Sequence, residues 1–450
     1  MGDSSQTEHA ELTPRKHLNA DALFRALRRC FSKVKEKLKT PPEISLADIL
    51  MSAFAMFSLK DSSLLAFDQR RTTEGHNLKS IYGIERIPCD TQMRARLDGI
   101  DPDALRPAFK AVFRQAQRGK VLESFEFMNG CYLISIDGTG YFSSEKRFSP
   151  CCLEKTRSKT GKKTYHLQTL GAVIVHPRHR EVIPLPPEPI SNQDGHTKND
   201  CERNACRRWL RKFRVDHPHL KVIMIEDGLS SNAPHIRDLK EHHCHFILGV
   251  KEGDHPFLFS RITEAINNGQ ATVHEVQDEE DPRIHHFFRY VNNVPLNQSN
   301  QDLLVNVLEY WESDGDRTKY FSWVTDLEIT CDNAYQIMRG GRCRWKVENE
   351  TFNTLKNQGY NFEHNYGLGA EYLSLVFVAL MMLAFLVDQV QQITCPLFRE
   401  ARRKAGSKRE LWEMIRSAFH LFLIDSMGMI YRLIIAGPQR WKAVPVLDST

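Results

Sequence analysis

The order of apolar runs between residues 132 and 250 constrains the fold more than any other feature of the chain. Tyr132–Ile136 (YLISI) reads as a short apolar strand ending at Asp137. Residues 164–175 (TYHLQTLGAVIV) and 181–185 (EVIPL) read as two more strands, and 197–214 as a helix. Val222–Ile225 reads as a buried strand ending at Glu226-Asp227, followed by a helix near 233–242 and a strand at 246–250. Strand-strand-strand-helix-strand-helix-strand predicts an α/β fold, with a mixed sheet flanked by helices.

The flanks follow other rules. Residues 1–14 are polar. Leu23, Phe24, Leu27, Phe31, Val34 and Leu38 form one helical stripe, and Pro41-Pro42 ends that helix. Ser45 with Asp48 resembles a capping box with a shorter acid, opening an apolar helix to about residue 58. Helical pieces near 91–98 and 102–117 complete an all-helical domain over 1–120, with 121–260 as the first part of the core. Residues 261–330 hold β-rich runs at 283–292, 303–310 and 319–325, divided by acidic and Asn-rich loops, and predict an inserted β subdomain. The core resumes over 331–392 with helices at 340–357 and 371–392, and 393–450 is a helical C-terminal region. The charge-free run from Tyr372 to Val387 is 16 residues. A membrane span needs about 20, so a buried core helix and no membrane are expected.

Charged residues make up 26% and apolar ones 41%, which excludes a mostly disordered or collagenous chain. Eleven scattered cysteines without a Cys-x-x-Cys pair, and a polar start without an export signal, predict reduced thiols and a cytoplasmic protein. The net charge is only +5, yet residues 15–39 alone carry +7. Such a block, with Arg25, Arg28, Arg29 and Lys33, suits a polyanion such as DNA or a solvated helix face. The basic loop Lys155, Arg157, Lys159, Lys162, Lys163 suits either a phosphate backbone or a solvated loop.

Three acids stand out by position. Asp137 and Asp227 end sheet strands, where open α/β sheets bind ligands. Glu348 shares a helical face with Trp345, Phe352 and Leu355, while Glu350 turns away and can pair with Lys346 at i, i+4. A carboxylate on an apolar face needs compensation, which a divalent metal shared with two aspartates supplies. Singly, each acid reads as a cap, a turn residue or, for Glu348, a partner of Arg344. Together they match the hard oxygen donors that hold two Mg²⁺ or Mn²⁺ ions about 3.5–4 Å apart at a phosphodiester.

The chain resembles the DDE transposases of bacterial insertion sequences, which have a ribonuclease H-like catalytic fold. The matching residues are YLISIDGTG (132–140), VIMIEDGLSSNAPHIRDLK (222–240), HFILGVKEGDH (245–255) and GRCRWKVENETFNTLKNQGY (341–360). The resemblance covers about residues 130–390, including the β-rich insertion. It implies that Asp137, Asp227 and Glu348 are the metal-binding triad for two Mg²⁺ or Mn²⁺ ions. It implies an enzyme that cuts DNA at the element's ends and joins them to target DNA, working as a homodimer near the bacterial nucleoid. The branch with this insertion carries Tyr-x2-Arg-x3-Glu-x6-Lys. Arg344 matches its Arg; Gly341 stands in the Tyr slot; Leu355 stands in the Lys slot, with Lys356 one residue later. Arg344 and Lys356 are thereby implied as DNA contacts. A transposase-derived DNA-binding protein without catalysis and a ribonuclease H-like nuclease without strand transfer are the rival functions.

Other motifs compete weakly. Ser135-Ile-Asp-Gly-Thr139 lacks the nucleophilic first Asp of haloacid dehalogenase-like phosphatases. His242-His243-Cys244-His245 with Cys201 and Cys206 hints at zinc, but zinc sites want two spaced ligand pairs. Gly161-Lys162-Lys163-Thr164 is no P-loop, since Thr156 stands where the loop's first Gly belongs. Trp323, in the last β run of the insertion, reads as core or as an aromatic that stacks on a flipped base.

Overall fold

The computed structural model describes residues 12–36, 42–158, 160–191, 200–278 and 281–437. They divide into a helical unit (Met1–Leu122, Arg147–Cys151, Thr354–Thr450) and a sheet unit (Glu123–Lys146, Cys152–Asn353), within those described residues.

The helical unit begins with α1 (Ala20–Phe31), α2 (Leu46–Ser58), α3 (Leu64–Thr73), α4 (Gly75–Tyr82), α5 (Asp90–Asp98) and α6 (Arg106–Arg118). Side-chain caps start the early ones: Asn19 accepts from the Ala22 N–H at 2.9 Å, and Ser45 from the Asp48 N–H at 3.0 Å. The stripe Leu23, Phe24, Leu27 and Phe31 is buried as expected. α1 stops at Phe31 rather than running to 38. The Ser32 hydroxyl there bonds the Arg29 carbonyl at 3.0 Å, and Glu36 leaves the helix axis to pair with Arg96. Leu38, Lys37 and Lys39 lie outside the described residues. α3 and α4 are not evident in the sequence pattern because the inner face of α3 includes a charged group. Arg70 lies buried between Asp61 and Glu74.

In the sheet unit β1 (Tyr132–Ser144) is followed by β2 (Leu153–Thr156), β3 (Lys163–Val175), β4 (Ile183–Pro184) and β5 (Glu188–Ile190). Next come α7 (Glu202–Asp216), β6 (Val222–Glu226), α8 (Ala233–Glu241), β7 (His245–Gly249) and α9 (Pro256–Asn267). β8 (Thr272–Gln277), β9 (His285–Asn297), β10 (Asn300–Ser313), β11 (Thr318–Thr325) and α10 (Ala334–Arg342) complete it, with a π-helix at Val347–Phe352. The result is one mixed sheet with helices on its faces, in the order β2-β3-β1-β6-β7-β11-β10-β9-β8, with β4 and β5 also on β3. β1 pairs antiparallel with β3 and parallel with β6, which runs parallel with β7.

Two expectations change. β1 does not end at Asp137 but runs on to Ser144, because β3 is equally long and pairs with it past that point. The β-rich stretch does not form a sheet of its own: β11 joins the open edge of β7, Trp323 opposite Gly249, and extends the core sheet.

α11 (Asn353–Asn357) leads into the helical unit, which then adds α12 (Leu373–Thr394), α13 (Pro396–Ala405), α14 (Lys408–Leu421) and α15 (Met427–Ala436). α12 is long and apolar enough to cross a membrane, yet 94% of its apolar stretch is buried. It packs against α2, α5, α6 and α13, so the first and last thirds of the chain share one core. The sequence pattern had separated them and placed 354–392 with the sheet. An all-round apolar helix needs cover on every side, and both termini supply it. The helical expectation beyond residue 437 lies outside the described residues.

Candidate active site

The site begins with backbone register. β1 and β6 run parallel with Ser135 opposite Ile225, and Asp137 and Asp227 each lie two residues beyond that last pair. Asp227 closes the turn after β6, its Oδ1 accepting from the Leu229 N–H at 3.0 Å. Asp137 Oδ1 accepts from the Gly138 N–H at 2.8 Å.

Two contacts bring Glu348 to them. Gly171, the cross-strand partner of Asp137, has no side chain, and the Phe352 ring fills the space: a Cβ at 171 would lie 2.7 Å from Phe352 Cε1. The Ser135 hydroxyl donates to the Arg344 carbonyl at 2.7 Å. The helix carrying Glu348 is thus fixed to β1 and β3 at both ends. Arg344 then bridges the acids, with Nη1 2.8 Å from Glu348 Oε1 and 3.5 Å from Asp137 Oδ2. Its guanidinium lies 3.8 Å from the centre of the Trp345 ring.

The helical-wheel expectation for this segment needs correction. Trp345 is half exposed, not part of a buried stripe, because a turn at Cys343-Arg344 separates α10 from the π-helix. Lys346 does not pair with Glu350; its ammonium donates to the carbonyls of His176, at 2.9 Å, and His179. Glu350 is instead partly covered and 3.4 Å from Arg180. Turns of i to i+5 replace those of i to i+4 over Val347–Phe352, so neighbours counted for an α-helix no longer coincide.

Electrostatics mark Asp137. Burial, then its hydrogen bond with the Glu348 carboxyl, then the charges of Glu348 and Glu202, push its pKa up to about 7 against the opposing Gly138 N–H. Glu202, at the start of α7, is itself raised by burial and by the charge of Asp227. Sequence reasoning passed over Glu202; its only signal was a place at the N-terminal end of a helix facing the strand ends. Asp137 and Glu348 thus share one guanidinium, and the charge of Glu202 reaches Asp137. A set of hard oxygen donors with excess negative charge fits Mg²⁺ or Mn²⁺, and Asp137, Asp227 and Glu348 are the side chains that would hold them.

The remaining residues fall elsewhere. Arg25, Arg29 and Lys33 are exposed, whereas Arg28 pairs at 2.8 Å with buried Asp48 and belongs to the helical core. Lys356 lies in the helical unit, 3.1 Å from Glu363, and Leu355 is buried. In the basic loop Lys163 is 3.1 Å from Glu154, and Lys159 lies outside the described residues. Trp323 is buried, stacked on Phe321 and packed on Gly341, which leaves no face for a base. The suspected zinc residues do not assemble: His242 bonds its own helix and His245 pairs with Asp326. Cys206 instead lies with Glu226 and His235, whose side chains are 2.9 Å apart as a buried pair.

No protein-family model matches the chain, and no curated protein matches it.

Proposed function

We propose that this protein is a transposase that uses divalent metal to cut DNA at the ends of an insertion sequence and join them to target DNA. The observation that carries the reading is the meeting of Asp137 and Glu348 across Arg344, with Asp227 in the turn that follows the strand parallel to β1. A ribonuclease H-like core is supported by the strand order. β4 and β5 lie on β3, β3 is antiparallel to β1, and β6 and β7 run parallel to β1 with helices between. The π turn supports the carry-over of the family's Lys. One π turn takes up one residue more than an α turn, and Lys356 stands one residue beyond the expected slot.

In this reading Asp137, Asp227 and Glu348 would hold two divalent ions, which would supply activation of the attacking oxygen and charge neutralisation at the leaving oxygen of a phosphodiester. The protein does the rest. Asp137 gives up the proton that its raised pKa holds near neutral pH. Asp227 stays fixed by its turn. Arg344, released from the two acids, takes a non-bridging phosphate oxygen, a role that suits its forked guanidinium. The exposed cations of α1 and the turn after it contribute contacts to the element's ends. Catalysis takes place in a homodimer on DNA in the bacterial cytoplasm.

The test uses the DNA that flanks the gene. Asp137→Ala, Asp227→Ala and Glu348→Ala should each abolish cleavage and joining while binding to terminal inverted repeats persists; Glu350→Ala should keep both reactions. Activity in Glu348→Ala alongside loss in Glu350→Ala overturns the assignment. Cleavage without joining of a labelled end to plasmid identifies a nuclease instead.

A further inference from the structure

We propose that Cys206, Glu226 and His235 form a zinc site buried inside the sheet unit. The site shares no residue with the carboxylates that Arg344 bridges, and it stands or falls apart from them.

Three elements deliver the ligands. Cys206 lies on the buried side of α7, Glu226 is the last residue of β6, and His235 lies in the first turn of α8, whose start Asn232 caps. All three residues are buried, and their sulfur, oxygen and nitrogen donor atoms lie within 4.8 Å of one another. They form no sequence motif, since 20 and then 9 residues separate them and only the fold brings them together.

His235 Nε2 and Glu226 Oε1, 2.9 Å apart, satisfy each other and account for two of the three groups. They do not account for the thiol. Cys206 is 4% exposed and in no disulfide, and among the described residues no hydrogen bond engages its sulfur. Cys244, also buried, is already engaged: its sulfur accepts from Arg214 Nη2 at 3.2 Å. An unpartnered thiol beside a buried imidazole–carboxylate pair completes a soft, a borderline and a hard donor. That combination suits zinc, which takes sulfur, imidazole nitrogen and carboxylate oxygen, and not Mg²⁺, which prefers oxygen alone. A tetrahedral zinc ion holds its donor atoms about 3.3–3.7 Å apart, a spacing within the span of the three atoms. The ion replaces the thiol proton and the proton between His235 and Glu226, and water takes the fourth position. It cross-links α7, β6 and α8 directly before the turn that begins at Asp227.

The experiment strips the full chain with a chelator and returns Zn²⁺, or Co²⁺ as its coloured substitute, with excess Mg²⁺ present to occupy oxygen-only sites. The parent should take up a zinc ion that Mg²⁺ does not displace and should melt at a higher temperature with zinc than without. With cobalt it should show the sulfur-to-metal charge-transfer band of a thiolate ligand. Cys206→Ala should lose the band and the zinc-dependent rise in melting temperature, with zinc affinity down by about tenfold or more. His235→Gln should weaken zinc comparably. Cys201→Ser removes an exposed thiol next to the same helix and should behave like the parent. A parent with neither the melting shift nor the band overturns the site, leaving Cys206 a packed thiol beside an ion pair. A Cys206→Ala protein that keeps both overturns it too, since another thiol then holds the metal. Equal melting temperatures of zinc-free Cys206→Ala and zinc-free parent exclude misfolding. Where Cys206→Ala does not fold, His235→Gln decides, and parental zinc affinity in that variant overturns the site.

Discussion

Asp137 holds a proton that an ordinary aspartate would have lost well below neutral pH. That proton competes with metal. Mn²⁺ affinity should therefore fall below about pH 7, by up to about tenfold per unit, as the carboxyl group protonates. A titration from pH 8 to 6 checks this; an affinity flat across that range removes Asp137 from the site. The same shift acts on stability with the opposite sense. Between the unfolded pKa near 4 and the folded value of about 7, the folded protein binds the extra proton, so stability falls as pH rises through this window. Asp137→Asn should thus be more stable than the parent at pH 8, by about 1 kcal/mol after solvent screening, and no more stable near pH 4. Chemical denaturation at both values distinguishes the two. At this scale the meeting of Asp137 with Glu348 was legible in the sequence, because an acid at a strand and one on a helix face are positional signals. Glu202 was not legible, since nothing local shows that Gly138 is bare to receive it.

Elements place those residues, and they do so through small contacts. The Glu348 helix lies close to the sheet because Gly171 leaves room for the Phe352 ring. Gly171→Ala should force that ring aside, destabilise the protein by about 1–3 kcal/mol and loosen metal binding by moving Glu348. Parental melting temperature and parental Mn²⁺ affinity together would refute the role given to Phe352. Periodicity found most strands and helices, but it counts residues on a fixed wheel. It could not foresee the π-helix at Val347–Phe352, so Trp345, Lys346 and Glu350 were given the wrong neighbours. Nor could it see that β11 would join β7, since a free strand edge is a property of the assembled sheet.

Across the molecule, the buried charges were the least legible feature. Lys60 is fully covered, paired with Asp388 at 2.5 Å and 4.0 Å from the centre of the Trp412 ring. Arg70 is held by Asp61 and Glu74. These partners are far apart in sequence or disguised as surface residues, so only the folded chain pairs them. The basic block separates in the same way into structural and free charge. Arg25→Ala, Arg29→Ala and Lys33→Ala combined should weaken binding to the element's ends and flatten its salt dependence, because fewer counterions are released. Arg28→Ala should instead lower stability by about 3 kcal/mol, as it strands buried Asp48. A salt series and a melting curve read the two effects separately. An unchanged salt slope in the triple variant would mean that DNA is held elsewhere.

One guanidinium cannot serve two carboxylates and a phosphate at once. Arg344 sits 2.8 Å from Glu348 and 3.5 Å from Asp137, so under the proposed function a metal ion would enter by exchange with an internal counter-ion. DNA that draws Arg344 away leaves the acids uncompensated and raises their demand for metal. The proposed function thus predicts that metal and DNA are thermodynamically linked, each strengthening the other by the same factor. Mn²⁺ should bind more tightly in the presence of uncleavable end DNA, and end DNA more tightly in the presence of Mn²⁺. Arg344→Ala should abolish this cooperativity while raising metal affinity in the protein alone. Under the proposed function, Arg344 is a built-in antagonist of metal binding that would keep a nuclease idle away from its substrate.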